Sequence, residues 1–127
     1  MRIYLYSYGQ SMKDLVKNLA ALFKVLGEQQ RMKILKILGS NDEESLTVTD
    51  ISRILKISQP STSQHLRIMK SMDIVRENRK GFRVYYSLNK EILFFYKKLI
   101  DDTFMKGFTK CDYNYECSTC PKNETCM

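Results

Sequence analysis

The stretch that decides the fold is SQPSTSQHLR, at residues 58–67. Ser58 is a favourable helix N-cap, and Pro60 is tolerated in a first turn because amides there have no intrahelical partner. Most of the remaining side chains form hydrogen bonds or carry positive charge. We therefore predict a short helix with a polar outer face and a buried side at Leu66 and Met69.

A basic hairpin signal follows this helix. Residues 74–78 and 82–88 have the composition of two strands, and Lys80-Gly81 is a turn signal between them. The second strand alternates apolar with polar side chains, which is typical of a half-exposed hairpin. A polar helix followed by such a hairpin is suited to enter one groove of DNA and to contact the next.

The positive charge is concentrated on the same segment. Residues 51–90 hold nine basic and two acidic side chains, whereas residues 1–50 hold seven and six, and residues 91–127 hold five and six. The net charge of +7 therefore equals the excess of the middle segment alone. Basic clustering favours binding to a polyanion, because condensed counterions are released. A solvated surface is the alternative.

Apolar residues recur at helical spacing before and after this segment. Thr47 with Asp50 approximates a capping box, which predicts where the third helix begins. The Tyr-rich residues 1–10 are either an extension or an edge strand. Besides the polar helix, the predicted helices cover roughly residues 11–26, 30–38, 48–55 and 90–104.

The order helix, helix, helix-turn-helix, hairpin, helix is that of a winged helix-turn-helix. The chain resembles the ArsR-type (ArsR/SmtB) family of small dimeric repressors from about Met12 to Phe104. Asp73 stands where the family usually has Gly, and we expect the turn to survive because Asp tolerates a left-handed backbone. The similar motifs are Leu22–Gly27 with Arg31–Leu35, Leu46–Leu55, Gln59–Leu66 and Arg79–Leu88.

The resemblance implies a mainly α fold with a β-hairpin (α+β), which dimerises through its first and last helices. Two apolar stripes on those helices agree with this, although both could simply complete the core. We predict residues 11–108 as the DNA-binding and dimerisation domain and residues 109–127 as a tail. The candidate interface residues are Leu15, Leu19, Leu22, Leu93, Tyr96 and Ile100.

Such a dimer would bind a dyad-symmetric double-stranded operator, with two recognition helices about 34 Å apart. Gln, Ser and Thr side chains in the first half of the helix would meet base edges, and the others phosphates. His65 is either a DNA contact or a structural histidine bonded within the domain. The predicted DNA-binding residues are Ser58, Gln59, Ser61, Thr62, Ser63, Gln64, His65, Arg67, Arg79, Lys80 and Arg83.

All four cysteines lie near the C-terminus, at Cys111, Cys117, Cys120 and Cys126. Four thiolates suit Zn²⁺ or an iron–sulfur cluster, and the spacing leaves both open. Soft toxic ions such as arsenite or cadmium, and disulfide-based redox sensing, are further alternatives. The sites typical of the family, a CxC on the third helix and Asp/His pairs on the last helix, are missing, so any inducer must be sought in residues 111–126.

The sequence therefore predicts a metal-, cluster- or redox-responsive DNA-binding regulator, most simply a repressor. The tail could instead be a structural zinc staple, or the chain an iron–sulfur protein-interaction module. With one histidine and no nucleophile–base pair or phosphate loop, we expect no enzyme. Apolar runs reach five residues, far below the roughly 20 that span a bilayer, so we expect a cytoplasmic protein with no membrane partner.

Overall fold

The computed structural model describes residues 12–41, 46–107 and 110–126. The predicted extension at residues 1–10 lies outside the described residues. The chain divides into two compact units, residues 22–93 and residues 1–21 with 94–127. The elements are α1 (Met12–Leu26), α2 (Gln29–Gly39), β1 (Leu46–Thr47), α3 (Val48–Leu55), α4 (Gln59–Ser71), β2 (Val75–Lys80), β3 (Arg83–Leu88), α5 (Lys90–Gly107) and α6 (Asn123–Cys126).

This order confirms the predicted mainly α fold with a β-hairpin. The sheet is antiparallel in the order β1-β3-β2, and β1 pairs Leu46 with Tyr86 of β3. Sequence reasoning missed β1 because its two residues are too few to show an alternating pattern. The hairpin is closed by the pair Lys80–Arg83, so its loop is Gly81-Phe82, one residue later than predicted.

The core of residues 22–93 is formed by apolar side chains from α2, α3, α4 and the segment before β2. Ile34, Ile51, Leu66, Met69 and Ile74 are all at most 1% exposed. Burying one such side chain contributes roughly 1.5–3 kcal/mol relative to leaving it in water. This core fixes which side of α4 faces inward and therefore which side remains free.

Helices α1 and α5 each bury one part of their apolar surface and expose another. Leu15, Leu19, Leu22, Tyr96 and Leu99 are buried within the single chain. Of the other predicted interface residues, Leu93 and Ile100 are half-buried. The largest exposed apolar side chains of the two helices are Val16, Phe23, Phe94, Phe104 and Met105.

Within the part of the chain that the structure describes, no helix is long and apolar enough to cross a membrane.

Candidate nucleic-acid interface

Helix α3 begins with the predicted capping box. The Thr47 hydroxyl accepts a hydrogen bond from the Asp50 amide at 3.2 Å, and the Asp50 carboxylate accepts one from the Thr47 amide at 3.0 Å. The hydrogen bonds that the Thr47 amide and, at 2.8 Å, the Thr47 hydroxyl donate to the carboxylate hold the pKa of Asp50 below its usual range. The helix ends at Lys56, whose φ of 57° is left-handed and turns the chain toward α4.

Helix α4 begins at the predicted cap, where the Ser58 hydroxyl accepts a hydrogen bond from the Ser61 amide at 3.2 Å. Thr62 is fully buried, and its hydroxyl donates to the Ser58 carbonyl at 2.9 Å. The predicted contact of Thr62 with a base is therefore wrong, because its side chain faces the core. The turn spacing that places Leu66 inside also places the residue four positions earlier inside.

The opposite side of α4 is free and polar. Gln59, Gln64 and Arg67 are exposed, whereas Ser61 and Ser63 are half-buried. Neutral hydrogen-bonding groups thus occupy the first half of this side and a fixed positive charge the second half. That is the arrangement by which a recognition helix meets base edges with its N-terminal half and phosphates with the remainder.

His65 bonds within the domain rather than projecting freely. Its side chain is only 15% exposed, and its Nδ1 lies 3.4 Å from Nη1 of Arg31 and 3.7 Å from the carboxylate of Glu28. The Arg31 guanidinium also donates from Nε to the Val25 carbonyl, near the end of α1. This geometry favours the structural alternative for His65, which holds α4 against the start of α2.

A second cluster joins α4 to the hairpin. The Glu77 carboxylate accepts hydrogen bonds from Nζ of Lys70 at 2.7 Å and from the Tyr86 hydroxyl at 3.1 Å. The bond from Lys70 is the main cause that lowers the pKa of Glu77. Burial, followed by the bond to Glu77, raises the pKa of Tyr86. The cluster links α4 to the wing, and sequence reasoning missed it because its members are seven and nine residues apart.

The wing, defined here as β2, β3 and their loop, carries an exposed cationic tip. Arg79, Lys80 and Arg83 are all exposed, as predicted for DNA-contacting side chains. Nζ of Lys80 lies 5.6 Å from the centre of the Tyr85 ring, within the range of a cation–π contact. The tip and the free side of α4 belong to the same compact unit.

The turn between α4 and β2 confirms the expectation for Asp73. Its φ is 56°, in the left-handed region that Gly normally occupies. The Asp73 amide donates to the Lys70 carbonyl at 2.9 Å, and the Ile74 amide donates to the Met69 carbonyl at 3.2 Å. This pair of bonds is a Schellman motif, which directs the chain from the recognition helix into the wing.

Three of the cysteines lie in a segment of turns, and Cys126 ends the short helix α6. Cys111 and Cys120 are half-buried, whereas Cys117 and Cys126 are exposed, and all four thiols are free. The Cys120 amide donates to the Cys117 carbonyl at 3.3 Å, and the Lys122 amide donates to Sγ of Cys120 at 3.3 Å. The chain is thus already folded tightly around the central cysteine pair.

The chain also reverses between Cys111 and Cys117. Asn114 and Tyr115 both have positive φ, 52° and 63°, and the Glu116 amide donates to the Tyr113 carbonyl at 3.0 Å. Two left-handed residues within a hydrogen-bonded turn are the pattern of type I′. Among the described residues, however, no group of three Cys, His, Asp or Glu side chains is close enough to hold a metal ion.

Comparisons with known proteins agree with this geometry. The family model of bacterial regulatory proteins of the arsR family matches residues 28–77. The chain is 40% identical over 72 residues to the transcriptional repressor SdpR of Bacillus subtilis, which covers 57% of this chain and 77% of SdpR. It is 35% identical over 97 residues to the cadmium resistance regulatory protein CadC homolog of Staphylococcus aureus, which covers 73% of this chain and 76% of that protein.

A solved structure shows the same fold. The homodimeric winged helix-turn-helix DNA-binding domain from Mycobacterium bovis matches with a TM-score of 0.57 at 24% identity, covering 83% of this chain and 99% of that domain. This likeness confirms the predicted winged helix-turn-helix.

Proposed function

Since the chain belongs to the ArsR family, we propose that it represses transcription by binding a dyad-symmetric operator as a homodimer, and that its cysteine tail adjusts operator affinity. The family consists of DNA-binding transcriptional regulators, which confirms that the chain is not an enzyme. We further propose that the protein acts in the cytoplasm.

One observation carries the DNA-binding part of the proposal: the free side of α4 and the wing tip lie in one unit and are held to each other by Glu77. Lys70 is on α4, and Glu77 and Tyr86 are on β2 and β3, so this carboxylate links α4 to both strands of the wing. A wing linked in this way would add less ordering cost on binding than a flexible one.

We infer that His65 is a positioning residue in this interface. Its contacts with Arg31 and Glu28 bring a cation and an anion to one ring nitrogen. Arg31 is held in turn by the Val25 carbonyl, and its own amide donates to Glu28 at 3.1 Å. The ring would therefore help to position α4 against the start of α2. The exposed side chains of Gln59 and Gln64 would then remain available for hydrogen bonds to base edges.

The dimer part of the proposal rests on the exposed apolar side chains of α1 and α5. Val16 and Phe23 are each 48% exposed, and Phe94 is 73% exposed. Four of the predicted interface residues are already buried in the single chain, so they would pack under the interface and would not contact the second copy directly. They are Leu15, Leu19, Leu22 and Tyr96. A second copy would cover the exposed set. The homodimeric solved relative is consistent with this assembly.

The tail suits a thiophilic ligand by the chemistry of its donors. Two of its thiols are exposed and two half-buried, and the Lys122 amide donates to Sγ of Cys120, so this sulfur already accepts a hydrogen bond from the turn that follows it. When bound, Zn²⁺ or an iron–sulfur cluster would supply cross-links between these thiolates, and the cluster also a redox couple. The CadC homolog is named for cadmium resistance, which keeps soft ions among the alternatives.

The tail would act on DNA binding through linkage. It follows α5, the helix proposed to dimerise, so loading or oxidation of the thiols would change the balance between dimer states. A ligand can change operator affinity only by its differential affinity for those states, typically about 5- to 150-fold. A purely structural staple would leave the affinity unchanged.

The DNA-binding proposal is tested by an electrophoretic retardation assay in rising salt, with a palindrome selected from genomic DNA. Wild-type affinity should fall steeply with salt, because counterions are released. The variants Arg67→Ala and Arg83→Ala should each weaken binding and lower the salt slope by about two, because each removes one cation from both subunits of the dimer. Lys17→Ala, an exposed cation on α1, is the matched control and should change neither quantity. Binding to no duplex at all would reject the proposal.

The tail is tested by anaerobic purification with metal and sulfide analysis and a visible spectrum. Charge-transfer bands identify an iron–sulfur cluster, and a colourless protein with stoichiometric zinc identifies zinc. Operator affinity is then compared for loaded, stripped and oxidised protein. Cys117→Ser and Cys120→Ser should abolish the difference, whereas Ser118→Ala between them should preserve it. Equal operator affinity in all three states would mean that the tail has only a structural role.

A further inference from the structure

The loop of the wing carries an aromatic side chain, Phe82, that is fully exposed. Phe82 is 108% exposed, the highest value among the exposed large apolar side chains described, of which the next is Tyr115 at 77%. The two neighbouring tyrosines of β3 behave differently. Tyr86 is buried, and Tyr85 is half-buried beneath Nζ of Lys80. Of these three aromatic rings of the wing, only that of Phe82 is fully exposed.

Phe82 lies in a short, constrained loop of the hairpin. Lys80 pairs with Arg83, so the loop has only two residues. Gly81 has a φ of +63° and Phe82 does not have positive φ, which is the pattern of a type II′ turn. Glu77 secures the base of the same strand to α4. Phe82 therefore stands at the end of a braced hairpin.

The surroundings of Phe82 are adapted to a polyanion. Lys80 and Arg83 face each other directly across the strands, and like charges in that position destabilise a free hairpin. Arg79 adds a third cation one residue before Lys80. An exposed phenyl ring among three cations suits a nucleic acid, which offers apolar base faces between rows of phosphate. A hydrophobic protein surface would leave these charges desolvated and unpaired.

We propose that Phe82 is an apolar wedge that inserts into the minor groove of the operator and partly unstacks a base step beside the site read by α4. This inference rests on the proposed DNA-binding function. The three flanking cations would hold the phosphates on either side of the groove, and the ring would enter between base pairs. Wedge insertion of this kind kinks a duplex toward its major groove and favours easily unstacked steps. Phe82 would thus add specificity without a hydrogen bond to any base.

The test uses a duplex recovered by repeated selection of random-sequence DNA with the wild-type protein. The fluorescent base 2-aminopurine replaces adenines successively along the flanks of the selected site. Wild-type protein should raise its fluorescence at one step in each half-site, because unstacking relieves quenching. Phe82→Ala should abolish that increase and weaken binding on the order of ten-fold, as loss of a stacked aromatic does.

Two matched variants separate the wedge from the charges. Phe82→Leu retains an apolar side chain and should keep most of the fluorescence increase and of the affinity. Arg83→Ala should lower the salt slope by about two, one for each subunit of the dimer, whereas Phe82→Ala should leave the slope unchanged because it removes no charge. Since the Phe82 side chain is fully exposed, its variants should melt at the wild-type temperature, which controls for misfolding.

The outcomes are distinguishable. If the wild-type protein recovers no duplex, the proposed function fails. If the wild-type protein binds its selected duplex and Phe82→Ala binds it with the same affinity and the same fluorescence change, the wedge is rejected, and the ring faces a protein partner or solvent instead.

Discussion

Residues 46–88 and residues 110–126 organise their polar groups in opposite ways. In the first region, side chains bond locally at helix starts, as at Thr47 and Thr62, and also across elements, as at Glu77, which accepts from α4 and from β3. In the second region, the described backbone hydrogen bonds join residues two to four apart, and most side chains are exposed. The first region therefore belongs to a packed core shared with α2, whereas the second is held mainly by its own turns.

The largest expected difference between the regions concerns apolar truncation. Leu66→Ala should lower the free energy of unfolding by about 2–5 kcal/mol, because Leu66 is 1% exposed and a cavity remains. Tyr115→Ala, at a residue 77% exposed, should change it by less than about 0.5 kcal/mol. Urea denaturation of both variants measures the contrast. Similar losses would mean that the tail shares the core of the domain.

A smaller difference is expected for hydroxyl removal. Thr47→Ala should lower the free energy of unfolding by about 1 kcal/mol, because the capping box of α3 loses its hydroxyl acceptor. Thr119→Ala removes an exposed hydroxyl that donates to the Glu116 carbonyl at 3.1 Å and should leave global unfolding unchanged. Thermal melts of the two variants provide the comparison. A wild-type melting temperature for Thr47→Ala would contradict it.

Substitution of residues with positive φ by Gly should stabilise the first region but not the second. Asp73→Gly should raise the free energy of unfolding by roughly 0.5 kcal/mol, since Gly adopts positive φ without the steric cost of a side chain. Asn114→Gly relieves a similar conformation in the tail, and no change in the cooperative transition is expected. Denaturant midpoints decide between these outcomes. A gain from Asn114→Gly equal to that from Asp73→Gly would show that both regions unfold together.

The smallest expected effect is a pH dependence at Glu77. Its pKa is lowered in the folded state, so its bond to Lys70 stabilises the protein above the pKa of the unfolded chain. That contribution is lost as pH falls through the lower folded pKa. Because the carboxylate is 38% exposed, Glu77→Gln should cost only about 0.5 kcal/mol at pH 7. The difference in unfolding free energy between wild type and Glu77→Gln should shrink toward pH 3; a constant difference would contradict the ionic cause.

Local signals predicted the first region well. The caps at Thr47 and Ser58, the hairpin after α4 and the left-handed turn at Asp73 each depend on residues within a few positions of one another. Such signals are readable because the physics that fixes them is local. They led to the correct fold and to most of the exposed side of α4.

The errors arose where the outcome depended on tertiary contacts. Thr62 looks like its polar neighbours in sequence, and only the helix rotation set by Leu66 places it inside. The Glu77 cluster and the bonds of His65 to Arg31 and Glu28 join residues that no short pattern connects. Sequence can identify a polar helix, but the packing of its partners decides which polar side chains reach solvent.

The strand register of the wing restricts the lengths that this hairpin can have. Val75, Glu77 and Arg79 share one face with Val84, Tyr86 and Leu88, and Lys80 shares the other with Arg83 and Tyr85. An extra residue in one strand alone would send every side chain beyond it to the wrong side. The wing of a related protein should therefore be longer or shorter by whole cross-strand pairs, with one residue added to or removed from each strand. The length of the hairpin then changes in steps of two residues.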